Sequence, residues 1–173
     1  MVIIPSGLTF VATPRTASRA ITEALLSRYP DAISDYPKDH HMWPDSVPRD
    51  YPIYTVLRNP VYQMISWWHH VDVRHGSKRG VLQFAQEYDN IMFMPRHEEY
   101  SLNIYAEIAD HFLPYHRDMK VITKALGIEG HMAQVGKHRS CEIKGKEWLE
   151  LDEYMKEAFP ADMKLWEEQC RSQ

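Results

Sequence analysis

Cysteine is scarce in this chain. Cys141 and Cys170 are the only two, with no CxxC spacing, which excludes a disulfide framework and a cysteine-rich zinc site. Glycine is scarce as well. The seven glycines stand at positions 7, 76, 80, 127, 130, 136 and 145, and neither GxGxxG nor GxxxxGK can be written with them, so dinucleotide oxidoreductases and ordinary ATPases lose their usual phosphate loop. No apolar run approaches the ~18 residues of a membrane-spanning helix. Positive charge is not in excess either: 20 Lys and Arg face 24 Asp and Glu, a net charge of −4, without the broad positive field that duplex nucleic-acid binders use. Any anion site on this chain has to be local.

What is present is the composition of a globular protein, 44% hydrophobic and 25% charged over 173 residues, enough for one domain with one core. The opening MVIIPSGLTFVAT has no basic residue before Arg15, and Pro5, Ser6 and Gly7 interrupt its apolar stretch, unlike a secretory signal. A cytoplasmic protein with no membrane and no nucleic-acid partner is expected.

Leu8 to Ala12 reads as a short buried strand, an apolar, partly β-branched run between Gly7 and Pro14. A helix follows from Ala17 to Arg28, with Ala20, Ile21, Ala24 and Leu25 on one face and Thr16 as the expected N-cap. Residues Asp31 to Pro52 carry Pro37, Pro44, Pro48 and Pro52, which makes them a long loop around at most one short strand. Ile53 to Leu57 is the second clear strand; Asn59 and Pro60 open a helix to about Val73 with an apolar stripe of Val61, Met64, Ile65, Trp68 and Val71. Further helices are expected over Val81–Tyr88, Glu99–Phe112, Asp118–Leu126, Leu151–Phe159 and Ala161–Gln169, with a short strand at Phe112–Tyr115. Two strands each running at once into a helix predict an α/β fold, a central parallel sheet flanked by helices with ligands at the strands' carboxyl ends. Both turns then lie on one edge, which brings Arg15 and Arg58 together.

The first turn, TPRTASRA, combines a helix start, the hydroxyls of Thr16 and Ser18 and two guanidinium groups, the chemistry of a phosphate or sulfate site; read singly, Thr16 and Ser18 are also ordinary caps and Arg15 and Arg19 ordinary surface charges. In the second, YTVLRNPVYQMISWWHH, Arg58 ends a strand and Ser66 lies two turns into the next helix, a fork and a hydroxyl suited to a second phosphate.

Together, TFVATPRTASRAI and YPIYTVLRNPVYQMISWW resemble the two nucleotide-binding signatures of the sulfotransferases that use 3′-phosphoadenosine 5′-phosphosulfate (PAPS), of the kinds PKSGTTWL or RSGSS and RNPxxRxxSxY. HFLPYHRDMKVITKALGI and FPADMKLWEE resemble that family's later segments, so the likeness covers most of the chain. The resemblance implies a P-loop-like sulfotransferase fold and metal-independent transfer of a sulfuryl group from PAPS to a hydroxyl or amine, a carbohydrate among the candidate acceptors. It assigns Arg15, Thr16, Ala17, Ser18 and Arg19 to the 5′-phosphosulfate and Arg58 and Ser66 to the 3′-phosphate, with Lys137, His138 and Arg139 as candidates for the basic loop that completes the latter. Arg15 also becomes a catalytic candidate, stabilising charge on the bridging oxygen, and His41 or His40, in DHHMWPD, the general base.

Three departures stand out. Arg15 replaces a common lysine and Ala20 a tryptophan, both nearer the carbohydrate-sulfating branch. Ala17 replaces a glycine, which suits a backbone that stays at negative φ. A metal at His69, His70, Asp72 and His75 is not favoured, because no HExxH or carboxylate-rich pattern accompanies them. Trp68 reads as core, whereas Trp43 and Trp67 stay open as stacking surfaces. Two other functions remain compatible: a non-catalytic nucleotide-binding module, and a small ATP-dependent phosphotransferase.

Overall fold

The computed structural model describes residues 1–34, 48–76, 78–92, 102–115, 119–132, 143 and 145–170. Five strands form one open sheet: β1 (Val2–Ile4), β2 (Leu8–Val11), β3 (Ile33–Ser34), β4 (Ile53–Leu57) and β5 (His111–Pro114), in the order β3-β1-β2-β4-β5. Seven α-helices accompany them among the described residues: α1 (Ser18–Arg28), α2 (Pro60–Val71), α3 (Val81–Met92), α4 (Leu102–Ile108), α5 (Lys120–Ala125), α6 (Lys146–Ala158) and α7 (Pro160–Cys170).

The fold class is α/β, but the sheet is mixed rather than parallel. β2, β4 and β5 run parallel, whereas β1 pairs antiparallel with β2 and with β3. The cause is the tripeptide Pro5–Gly7. It links β1 to β2 as a tight hairpin, with Gly7 N–H donating to the Ile4 carbonyl at 3.0 Å, and a connection that short can only reverse the chain. Gly7 adopts φ 143° there, a conformation open to glycine. The residues that break the first apolar run are therefore a turn between two strands.

Alternation along the strands assigns the two faces. Phe10, Val56 and Leu113, with Val2 and Ile4, pack beneath Ile21, Ala24 and Leu25 of α1 and Ile122 and Leu126 of α5. On the opposite face, Val11 and Ile53 meet Tyr105 and Ile108 of α4, and Leu57 meets Leu165 and Cys170 of α7. Burial pushes the Cys170 thiol up to about 12, so it stays a protonated, apolar filler. A third cluster joins helices to one another: Val61, Met64 and Ile65 of α2, Val81, Phe84 and Ala85 of α3, Leu151 and Met155 of α6, and Met163 of α7.

Several boundaries shift from expectation for local reasons. Ala17, not Thr16, caps α1, because Thr16 turns its hydroxyl back to Thr13. Asn59 caps α2 as expected, its side-chain oxygen accepting from Val61 N–H at 2.9 Å. That helix ends at Val71, which is 39% exposed rather than part of the buried stripe. The chain turns at the buried Asp72, whose carboxylate takes the Arg79 guanidinium in a bidentate pair, and Arg79 also bonds Glu87 of α3. The Glu87 carboxyl is held below its ordinary range by that hydrogen bond, with a second from Gln83. Gly127 closes α5 at φ 64°, and a Cβ there would lie 2.6 Å from the Tyr29 hydroxyl.

Leu25 is fully buried between α1 and the sheet. Leu25→Ala is expected to lower the unfolding free energy by about 2–5 kcal/mol, read from urea denaturation.

Candidate functional site

The parallel pairing of β2 with β4, Val11 opposite Thr55, brings the turn after β2 and the turn after β4 side by side at the carboxyl edge of the sheet. Side chains lock them together. Thr55 Oγ1 donates to the Val11 carbonyl at 2.9 Å, and Thr13 Oγ1 donates to the Val56 carbonyl. The Thr13 and Thr16 hydroxyls lie 2.9 Å apart. Both threonines are fully buried, so neither hydroxyl is presented to solvent.

The turn from Thr13 to Ala17 is gripped by its carbonyls. The Thr13 carbonyl accepts from Thr16 Oγ1 at 2.8 Å, the Pro14 carbonyl from Gln63 Nε2 at 3.0 Å, and the Arg15 carbonyl from Arg58 Nη1 at 3.0 Å. Arg15 and Ala17 sit at φ 62° and 58°, the only non-glycine residues at positive φ among the described residues. Ala17 therefore corrects the expectation of a negative φ at this alanine. Alternation of this kind makes a concave nest of N–H groups suited to an anion. The amides of Thr16, Ala17, Ser18 and Ala20 have no hydrogen-bond partner among the described residues, and the positive end of the α1 dipole lies there.

Two guanidinium groups belong to the same edge. Arg15 donates from Nε to Ser66 Oγ and from Nη2 to the Ser66 carbonyl, both at 3.2 Å, and lies 5.6 Å from the centroid of the Trp67 ring. The Ser66 hydroxyl, accepting from Arg15, keeps its own proton to donate. Arg58 stacks 5.0 Å above the Tyr115 ring. Burial lowers its pKa, opposed by Tyr115 and Tyr62, although a guanidinium remains charged at any working pH. No carboxylate among the described residues pairs with Arg58. A half-buried cation held by a carbonyl and an aromatic face is under-neutralised, and an anion is the natural complement.

The structure thus brings Arg15, Thr16, Ala17, Ser18, Arg58 and Ser66 to one edge. Thr16 serves as an internal strut, and Ser18 is the first residue of α1. Arg19 lies apart, with its side chain 76% exposed and paired to Glu23 at 2.9 Å. His40, His41, Trp43, Lys137, His138 and Arg139 lie outside the described residues. Of the histidine and acid cluster after α2, Asp72 is engaged by Arg79, and His70 meets the edge of Trp67 at 6.2 Å. Among the described residues no group of three or more His, Cys, Asp or Glu could hold a metal, and no helix is long and apolar enough to cross a membrane.

Gln63, Thr13 and Tyr115 are additions that sequence reasoning missed. The signal for Gln63 was its place between Asn59 and Ser66, polar positions at helical spacing beside an apolar stripe. Tyr115 carried none, because its position depends on β5 pairing with β4, where its N–H reaches the Leu57 carbonyl at 2.6 Å.

No protein-family model matches the chain, and neither the curated proteins nor the solved structures contain a significant match.

Ala17→Gly removes the steric penalty of left-handed backbone, and a gain of about 1 kcal/mol in unfolding free energy is expected. A higher urea midpoint with an unchanged slope is the result that fits; a lower midpoint contradicts the strained turn.

Proposed function

We propose that this protein is a sulfotransferase that takes PAPS as donor and a hydroxyl or amine, such as that of a carbohydrate, as acceptor. The observation that carries this reading is that two neighbouring strand-to-helix turns bring together Arg15, Arg58 and, at the start of α1, amides with no hydrogen-bond partner among the described residues. The donor set fits the nucleotide. It consists of guanidinium, hydroxyl and amide N–H groups, all hydrogen-bond donors, as a molecule with a phosphosulfate and a separate phosphate requires.

In this reading Arg15 and the amides of Thr16, Ala17 and Ser18 hold the phosphosulfate, and Arg58 and Ser66 hold the 3′-phosphate. The nucleotide supplies an activated sulfuryl group: a bond forms from the acceptor oxygen or nitrogen to sulfur, the bond from sulfur to the bridging phosphate oxygen breaks, and adenosine 3′,5′-bisphosphate departs. Arg15, always protonated, stabilises negative charge growing on the phosphate side without giving up a proton. The amides of the nest act in the same sense and, fixed in advance by the carbonyl grips, need little reorganisation. His41 or His40 accepts the acceptor's proton in this proposal. Such transfers have loose, in-line transition states, as phosphoryl transfers do, so positioning and charge stabilisation supply most of the rate.

Calorimetric titration with adenosine 3′,5′-bisphosphate, AMP, and ATP with magnesium tests the cofactor. A preference for the 3′-phosphorylated nucleotide is expected, weakened roughly tenfold to a hundredfold in Arg58→Ala, as for loss of a charge-assisted contact. Preference for ATP with magnesium would overturn the reading in favour of phosphoryl transfer, and absence of binding would make both turns structural.

A further inference from the structure

Gln63 is an odd residue for its place. It lies on α2 among Val61, Met64 and Ile65, only 6% exposed, and its amide nitrogen reaches across to the Pro14 carbonyl at 3.0 Å. A buried amide that lost this partner would be left unsatisfied at a cost of about 1–3 kcal/mol, so the contact is a commitment.

The carbonyl it holds matters. A trans peptide places its C=O and N–H on opposite sides. Fixing the Pro14 oxygen against α2 therefore turns the next amide, that of Arg15, the other way, and sets the entry into the residue at φ 62°. Arg58 does the same one peptide later, holding the Arg15 oxygen and turning out the Thr16 amide, which has no partner among the described residues. Gln63 and Ser66 stand three residues apart on α2, and neighbouring positions on a helix face share a surface. One face of α2 thus grips both the backbone before Arg15 and the guanidinium of Arg15.

We infer that Gln63 is a positioning residue, the clamp that keeps the strained Thr13–Ala17 turn in its anion-binding form; this rests on the reading of that turn as a phosphosulfate site. Gln63 touches no substrate. It acts through the backbone of Pro14 and Arg15, supplying from α2 a constraint that a glycine-poor turn does not hold by itself.

Two measurements on the full chain test it. The first is titration of adenosine 3′,5′-bisphosphate into wild type, Gln63→Leu and Gln63→Glu from pH 8 to pH 5. Gln63→Leu should bind roughly tenfold more weakly at every pH. Gln63→Glu should bind as weakly at pH 8, where an ionised carboxylate repels the Pro14 carbonyl. It should recover toward wild type, compared at each pH, as the buried carboxyl takes up a proton and becomes a donor again. Binding by Gln63→Leu within about twofold of wild type, or no recovery by Gln63→Glu, would overturn the clamp.

The second measurement needs no ligand, and so separates failure of the clamp from failure of the nucleotide reading. Urea unfolding of Ala17→Gly, Gln63→Leu and the double variant closes a cycle. If Gln63 holds the turn in its strained form, the stabilisation from Ala17→Gly disappears once Gln63 is Leu, because the released turn no longer needs positive φ there. Additive effects would overturn the clamp whether or not wild type binds the nucleotide.

Discussion

Left-handed backbone costs an alanine or an arginine about 1–2 kcal/mol, and the turn between β2 and α1 holds one of each in it, Arg15 and Ala17. The turn stays there because its carbonyls are gripped: Thr13 by Thr16, Pro14 by Gln63, Arg15 by Arg58. Each held peptide plane turns its amide away from the group that holds its carbonyl. The remainder of the edge depends on this arrangement. Thr13 ties the turn to β4, α1 starts with its dipole already aimed, and the Arg15 side chain lies across α2 to Ser66 and Trp67.

Charge is used locally rather than globally. The chain as a whole is mildly acidic, net −4, yet its carboxyl sheet edge gathers Arg15, Arg58 and amides with no partner among the described residues. The two arginines are held differently. Arg15 is steered by a hydroxyl, a carbonyl and an indole, whereas Arg58 lies over the Tyr115 ring with one nitrogen on a backbone oxygen. No carboxylate among the described residues pairs with Arg58, and its burial lowers its pKa.

Support for the edge comes from the helical cluster outside the sheet. α2 projects from β4 and is braced by α3, α6 and α7 through Leu151, Met155, Met163 and Phe84. Arg79 pins the far end by pairing with Asp72 and Glu87, stacking 5.1 Å from Phe84 and accepting at its carbonyl from Trp68 Nε1 at 2.8 Å. The helix that supplies Gln63, Ser66 and Trp67 is thereby fixed at both ends, at Asn59 and at Asp72.

The α/β class, the strands after Gly7 and before Arg58, and the helices that follow them were legible in the sequence, because apolar periodicity and the Asn59-Pro60 start are local properties of the chain. So was the proximity of Arg15 to Arg58, which follows once two strand-to-helix units lie parallel. Local reasoning failed where a partner distant in sequence decides. The antiparallel β1 is the exception, set locally by the tight Pro5–Gly7 turn. The φ of Ala17 depended on Gln63 and Arg58 more than 40 residues away. Thr16, a plausible cap by its position, became a buried strut because Thr13 was drawn to β4. By itself the sequence determined the two strand-to-helix units and the residue types at the sheet edge, since periodicity and turn chemistry act within a few residues. Only the tertiary structure decided which carbonyls are held and which amides are turned out, since each of those bonds joins segments whose meeting is set by the pairing of β2 with β4.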